Sequence, residues 1–456
     1  MLNPYKEIKR LNAIILEQQA ILAKQGKIID DLRSRLDRYE KPKNSRNSSI
    51  PPSHDYSRTP RTQSLRESSG KKQGGQLGHE GATLQMTNKP DLTLSHIPQY
   101  CTCCGRDLSQ ITAELVERRQ QIELPPIVPY FVEHQSFQKK CPCGNTIIGS
   151  FPQGVTPGIS YGASVNRLIA YFNVRHYLPF DRLKEIFTTV FGLAISTGTL
   201  VENVNRVAEK ARPAYELIRE KAIRSRTNGG DETGMIIDGQ KGWFWTIQGK
   251  LFTFIIASFN RGAQTLNEHF PDGFAFSVLV HDCWKCYFKI AALAHQICLA
   301  HLLREFNHVY ECYKLKWATD FKQLLVETIA FKKTLLPGDY HKTLSQRTVF
   351  EERLSALLQQ SINPKHSIAV SLQKRLIKYK PHILTFLYFH EVPPDNNASE
   401  RAIRNVKVKQ KISGQFRSFE GAKNFAILRS VIDTAIKNNL NPLHSLSKIY
   451  AVPLYG

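Results

Sequence analysis

Three acids stand in contexts that could carry chemistry. Asp231 lies in "GGDETG", Asp282 follows the apolar run of "FSVLVHDCW", and Glu400 sits in "DNNASERAIRNVKVKQK". Glu400 heads a run of bases: Arg401, Arg404, Lys407, Lys409, Lys411 and Arg417. Carboxylates from separate elements are the hard oxygen ligands that Mg2+ or Mn2+ takes. Lysine and arginine are what a phosphate backbone lies against. Taken singly, each acid has an ordinary reading: a turn residue beside Glu232, a strand-end cap, and a helix N-terminal acid favoured by the dipole. Taken together with the bases, they point to metal-dependent phosphodiester transfer, in which two ions about 3.5–4 Å apart act on the attacking and leaving oxygens. Arg401, Arg404, Lys407, Lys409 and Lys411 are then the expected phosphate contacts.

A second group of ligands is sulfur. "CTCCG" places Cys101 and Cys104 in a C-x2-C ahead of a glycine, and "CPCG" pairs Cys141 with Cys143. Two such knuckles suit a structural Zn2+ held by four thiolates, with the glycines permitting tight turns. The second knuckle is one residue shorter than the commonest spacing, and Cys103 could replace Cys101. Cys283 with Cys286, and Cys298 with His301, also have metal-like spacing. The first of these pairs directly follows a buried strand, so packing is expected there.

The chain that must position these groups has 456 residues, a formal charge of +23 and 41% hydrophobic residues. It is long enough for two to four domains of about 100–200 residues each. The charge points to a polyanion, double-stranded DNA first. No apolar run reaches the roughly 20 residues that span a bilayer. "MLNPYKEIKRLN" has no signal-peptide h-region, so a cytoplasmic, nucleoid-associated protein with reduced cysteines is expected.

Periodicity divides the chain. Over 1–40, Ile8, Leu11, Ile15, Gln18, Leu22, Gln25, Ile29, Leu32, Leu36 and Tyr39 follow a heptad seam. That is a coiled coil that would pair two copies, weakened by the two glutamines on the seam. Residues 41–95 are rich in Pro, Gly, Ser and bases and read as a basic arm. Residues 96–150 form the zinc module. Over 151–225, "FDRLKEIFTTVFG" and a helix begun at Ser196 outline a helix-turn-helix. Residues 226–304 hold "GMIIDG", "GWFWTIQG", "LFTFIIASF" and the strand ending at Asp282, with Asp231 opening the first strand. Residues 305–394 are a helical insertion, and 395–456 return to the core with Glu400.

An acid on a first strand, one ending a fourth strand and one on a later helix resembles ribonuclease-H-like nucleotidyl transferases. The resemblance becomes narrower in "DET" before "GWFWTIQ", "VHDCW", "CLAHLLREF", "DNNASERAIRNVKVKQK", "NSSIPPSHD", "GGQLGHEG" and the two knuckles. In their order these resemble the transposases of the insertion-sequence-66 family, from about residue 45 onward. The resemblance implies a mixed α/β multidomain protein that cuts and joins DNA at element ends. It places Asp231, Asp282 and Glu400 on the catalytic positions and His301 near the active site, and it implies accessory proteins of the same element. Two other readings fit parts of the pattern: a zinc-containing DNA-binding regulator, and a nuclease that cuts without joining. The acid triad separates the first from an enzyme, and joining separates the second.

Overall fold

The computed structural model describes residues 4–40, 78, 84–152, 154–342 and 344–451. Two units are distinguished, residues 59–129 and the rest of the chain. Within the first, residues 84–129 have no helix or strand, and a lone bridge between Tyr100 and Asp107 closes the first cysteine turn. Most of the expected basic arm, residues 41–77 and 79–83, lies outside the described residues.

Helix α1 (Pro4–Glu40) is one uninterrupted helix, and its side chains from 12 to 32 are exposed, including Ile15, Leu22, Ile29 and Leu32 of the seam. The seam side chains of Ile8, Leu11, Leu36 and Tyr39 lie outside the described residues. The second knuckle is the tip of a small antiparallel hairpin, β1 (Gln138–Lys140) and β2 (Thr146–Ile148).

Helices α2 (Ala163–Val174), α3 (Phe180–Thr189) and α4 (Thr197–Arg224) come next. Ser196 caps α4 by accepting from the Thr199 backbone N–H at 3.1 Å. The helix–turn–helix outline is present, with Gly192 left-handed in the turn. Yet α4 buries Leu200, Val204, Val207, Ala211 and Ile218 at steps of three, four and seven, and packs on the sheet and a later helix. That face serves the core and is not available to a DNA groove.

Five strands make the central sheet: β3 (Thr227–Ile237), β4 (Gln240–Gly249), β5 (Phe252–Ser258), β6 (Phe274–His281) and β7 (Ala292–Ile297), with α5 (Ala263–His269) before β6. Their order is β5-β4-β3-β6-β7; the first three form an antiparallel meander, while β6 lies parallel to β3 and β7 parallel to β6. Asp231 was expected to open β3. It lies inside that strand, opposite Thr246, because residues 227–229 already pair with β6. Phe244, Trp245, Ile247 and Phe254 are fully buried, since elements cover the sheet.

After β7 the chain forms α6 (Leu299–Tyr313), α7 (Lys316–Thr334), α8 (Ser345–Gln359) and α9 (Ser367–Lys378). Phe306, Phe321, Leu325, Leu354 and Leu372 make a separate apolar cluster that joins the sheet through Val278 and Val280. Helices α10 (Asn397–Ser413), α11 (Phe419–Lys437) and α12 (Pro442–Ala451) complete the chain. Helix α11 is stitched to β5: Ser430 Oγ accepts from the Ile255 N–H at 2.9 Å, and Thr434 Oγ1 from the Thr253 N–H at 3.1 Å.

Helix α10 begins directly against β3, which requires glycine there. A Cβ on Gly229 would lie 2.7 Å from Asn396 Oδ1 and 2.8 Å from Gln248 Nε2. One on Gly230 would lie 2.8 Å from the Tyr287 ring. Gly229→Ala should therefore cost ~1–3 kcal/mol by overpacking and lower the melting temperature. Gly338→Ala, where a Cβ meets nothing within 4 Å, should leave it unchanged in the same thermal melt.

Candidate active site

The geometry begins with Asn396, the residue before α10. Its side-chain amide donates to the carbonyl of Gly230 at 2.7 Å, next to Asp231. Its Oδ1 accepts from Ser399 Oγ at 2.6 Å, and its backbone N–H donates to Cys298 Sγ at 3.1 Å. The Leu299 N–H donates to the Pro394 carbonyl at 2.9 Å, and the Cys298 N–H to the His281 carbonyl at 2.7 Å. The end of β6, the start of α6 and the start of α10 are thus tied into one corner beside the middle of β3. Glu400, in the first turn of α10, is carried into that corner.

The electrostatics report the same convergence. Asp231 is held well above the usual carboxylate range, first by burial and then by the fields of Glu232, Asp282 and Glu400. Asp282 is pushed up to about 7, by burial first and Glu232 second, although its Oδ1 accepts from the Trp284 N–H at 3.1 Å. Glu400 Oε1 is buried with no hydrogen-bond donor. Near it stand His301 Nε2 at 3.4 Å and Arg304 Nη1 at 3.9 Å. Burial and Arg304 push the His301 imidazole down to about 4, so it faces Glu400 as a neutral ring. Among the described residues, the group of His, Cys and acid side chains with ligand atoms within 4.8 Å of one another is Cys298, His301 and Glu400. The three expected catalytic acids are therefore neighbours in one field and not a single ligand sphere.

Sequence reasoning passed over Glu232, reading it only as a neighbour of Asp231. Its side chain is buried; Oε1 accepts from Arg261 at 3.0 Å and Oε2 from the Tyr287 hydroxyl at 2.7 Å. The Arg261 guanidinium lies between the rings of Trp243 and Trp284, at 4.5 and 4.4 Å. No pattern in "DET" marks that pairing, because Arg261 and Tyr287 are remote in sequence. Asn396 was visible in "DNNAS" only as part of a helix start.

The bases after Glu400 divide by helical face. Arg401, Arg404 and Lys411 are exposed. Lys407 is half-buried and donates to the Gly234 carbonyl at 3.1 Å. Lys409 is buried, and burial pushes its amine down to about 8. These two point at the protein because α10 packs on β3 and β4 through that face.

Each knuckle forms a tight turn. In the first, the Gly105 N–H donates to the Cys101 carbonyl and the Cys101 N–H to the Arg106 carbonyl, both at 2.9 Å. In the second, the Gly144 N–H donates to the Cys141 carbonyl at 2.9 Å and the Cys141 N–H to the Asn145 carbonyl at 2.7 Å. Both glycines are left-handed. The shorter spacing is thus the same turn with one residue removed. The Cys101 thiol is held below its usual range by the backbone N–H of Cys104, then that of Cys103, and by the Cys104 thiol. The Cys143 thiol is lowered by the Asn145 N–H and the Cys141 thiol. Amides facing sulfur favour thiolates.

The fold is a mixed α/β one, with a half-buried acid corner beside a basic helix. The model of the Transposase IS66 family matches residues 158–424, and that of the zinc-finger binding domain of transposase IS66 matches residues 98–144. The chain belongs to the IS66 transposase family. Residues 4–85 match a family of unknown function. The chain is also similar to the uncharacterized protein y4hP of Sinorhizobium fredii, 23% identical over 394 residues that cover 78% of this chain and 70% of that protein. Among the described residues, no helix is long and apolar enough to cross a membrane.

The raised acids set a pH dependence. Asp282 binds its proton up to about 7 in the folded protein, against an ordinary value of 3.8. Its stabilising effect is complete below the lower value and is lost as pH rises through the higher one. Asp282→Asn should therefore flatten the fall in melting temperature between these pH values in cation-free protein, and melt higher than wild type above neutrality. Parallel pH–melting curves for the two proteins would contradict it.

Proposed function

We propose that Asp231, Asp282 and Glu400 are the metal-binding catalytic acids of a DNA transposase that cleaves the ends of an insertion sequence and joins them to target DNA. The observation that carries this reading is the convergence on Asp231: burial and three further carboxylates raise its pKa, and Glu400 Oε1 is buried without a donor. Such an anionic corner fits hard divalent cations, and carboxylates spread wider than one ligand sphere suit a pair of ions. The strand order, antiparallel meander followed by two parallel strands, supports the ribonuclease-H-like reading of the core. Two Mg2+ or Mn2+ ions held there would activate the attacking oxygen and stabilise the leaving one.

The chain's own residues do the positioning. Asn396 pins α10 to β3, so Glu400 faces Asp231 across a fixed gap. Arg261 and Tyr287 hold Glu232, which keeps a fourth carboxylate in place beside Asp282. Water attacks the phosphodiester first, and the freed 3′-hydroxyl then attacks target DNA. Both steps are phosphoryl transfers and need no covalent enzyme intermediate.

Arg401, Arg404 and Lys411 hold the DNA backbone; Lys407 and Lys409 support α10 from within. Each knuckle offers thiolates for structural Zn2+, Cys101 and Cys104 in the first and Cys141 and Cys143 in the second, supported by the amides that face Cys101 and Cys143. The exposed seam of α1 pairs two copies.

The test incubates purified protein and labelled element-end DNA with a target plasmid, in Mg2+ or EDTA, with accessory proteins of the element added in parallel. Mg2+-dependent joined products, lost in Glu400→Gln, are expected; cleavage retained in Asp231→Asn, Asp282→Asn and Glu400→Gln alike would overturn the triad. For the DNA contacts, the triple change Arg401→Ala, Arg404→Ala and Lys411→Ala should reduce the slope of log binding constant against log salt by about three. Lys409→Ala should lower the melting temperature and leave the slope unchanged.

A further inference from the structure

The cluster at the α6–α10 junction has a donor set that a Mg2+ site does not use. Cys298 is the residue before α6, His301 follows one turn later, and Glu400 comes from the first turn of α10. One ligand atom from each lies within 4.8 Å of the others. Cys298 Sγ accepts from the Asn396 N–H at 3.1 Å, and burial pushes its thiol up to about 12 against the pull of the neighbouring backbone N–H groups. An amide directed at the sulfur orients it as a ligand. Glu400 Oε1 and His301 Nδ1 are buried without hydrogen-bond partners. The His301 and Glu400 side chains keep 14% and 23% exposure, so an ion can enter.

Thiolate excludes a hard cation, whereas S, N and O donors together suit Zn2+. We propose that Cys298, His301 and Glu400 form a three-ligand Zn2+ site with its fourth position open to water. Binding releases the Cys298 thiol proton to solvent. The site is separate from the two knuckles, and Cys283 and Cys286 take no part in it. Because Glu400 cannot serve both ions, Zn2+ here withdraws the third acid from the catalytic pair. That competition, though not the site itself, rests on the proposed role of Glu400.

The experiment measures zinc per chain in full-length protein equilibrated with Zn2+ and desalted, for wild type, Cys298→Ser and His301→Asn, without DNA. Cys298 is buried and its change can disturb folding, so each variant is first checked by thermal melting; His301, partly exposed, supplies the second test. Each variant should hold one zinc ion fewer than wild type, and a Co2+-loaded sample of each should lose part of the thiolate charge-transfer band. Unchanged zinc content in either folded variant overturns the site. The readout separates the two proposals. Zinc lost in these variants while Glu400→Gln still cleaves overturns the triad role of Glu400 and leaves this site standing. Normal zinc content with cleavage abolished in Glu400→Gln does the reverse.

Discussion

Mutual repulsion among four acids in one poorly solvated corner is the constraint around which this protein is organised. Burial and the fields of Glu232, Asp282 and Glu400 raise the cost of ionising Asp231, and burial and Glu232 raise that of Asp282. Like charges do not stay together in a low dielectric unless the backbone holds them. Here the holding is done by neutral hydrogen bonds at the joins between elements: Asn396 to Gly230, the Pro394 carbonyl to Leu299, and the His281 carbonyl to Cys298. The glycines of β3 let α10 come that close.

Much of this was legible beforehand, and the reasons differ by element. The strands were readable because Gly-punctuated apolar runs such as "LFTFIIASF" have few other uses. The start of α10 was readable from "DNNAS" followed by bases on a helix. The head of β3 was not: "TNGGD" has low strand propensity, and it is strand only because its backbone pairs with β6. Tertiary pairing overrode local preference there.

The basic run shows a different limit. Sequence gives charge but not which face of α10 is covered. Lys407 and Lys409 fall on the face toward the sheet, and their stems pack while their amines find carbonyls or stay in a dry pocket. The helix outline before the sheet carried a similar ambiguity, since an amphipathic α4 serves a core as readily as a groove. Glu232 was hidden for a third reason. Its partners come from other elements, and only the assembled sheet brings Arg261 and Tyr287 to it.

The helices between β7 and α10 form their own apolar cluster, which meets the sheet at Val278, Val280 and Ile297. Chain added at the turn between α7 and α8 would lengthen a mostly exposed connection, and the entropy of closing a loop grows only logarithmically with its length. The packing of α6 to α9 on one another is therefore tolerant of changes in the length of that connection.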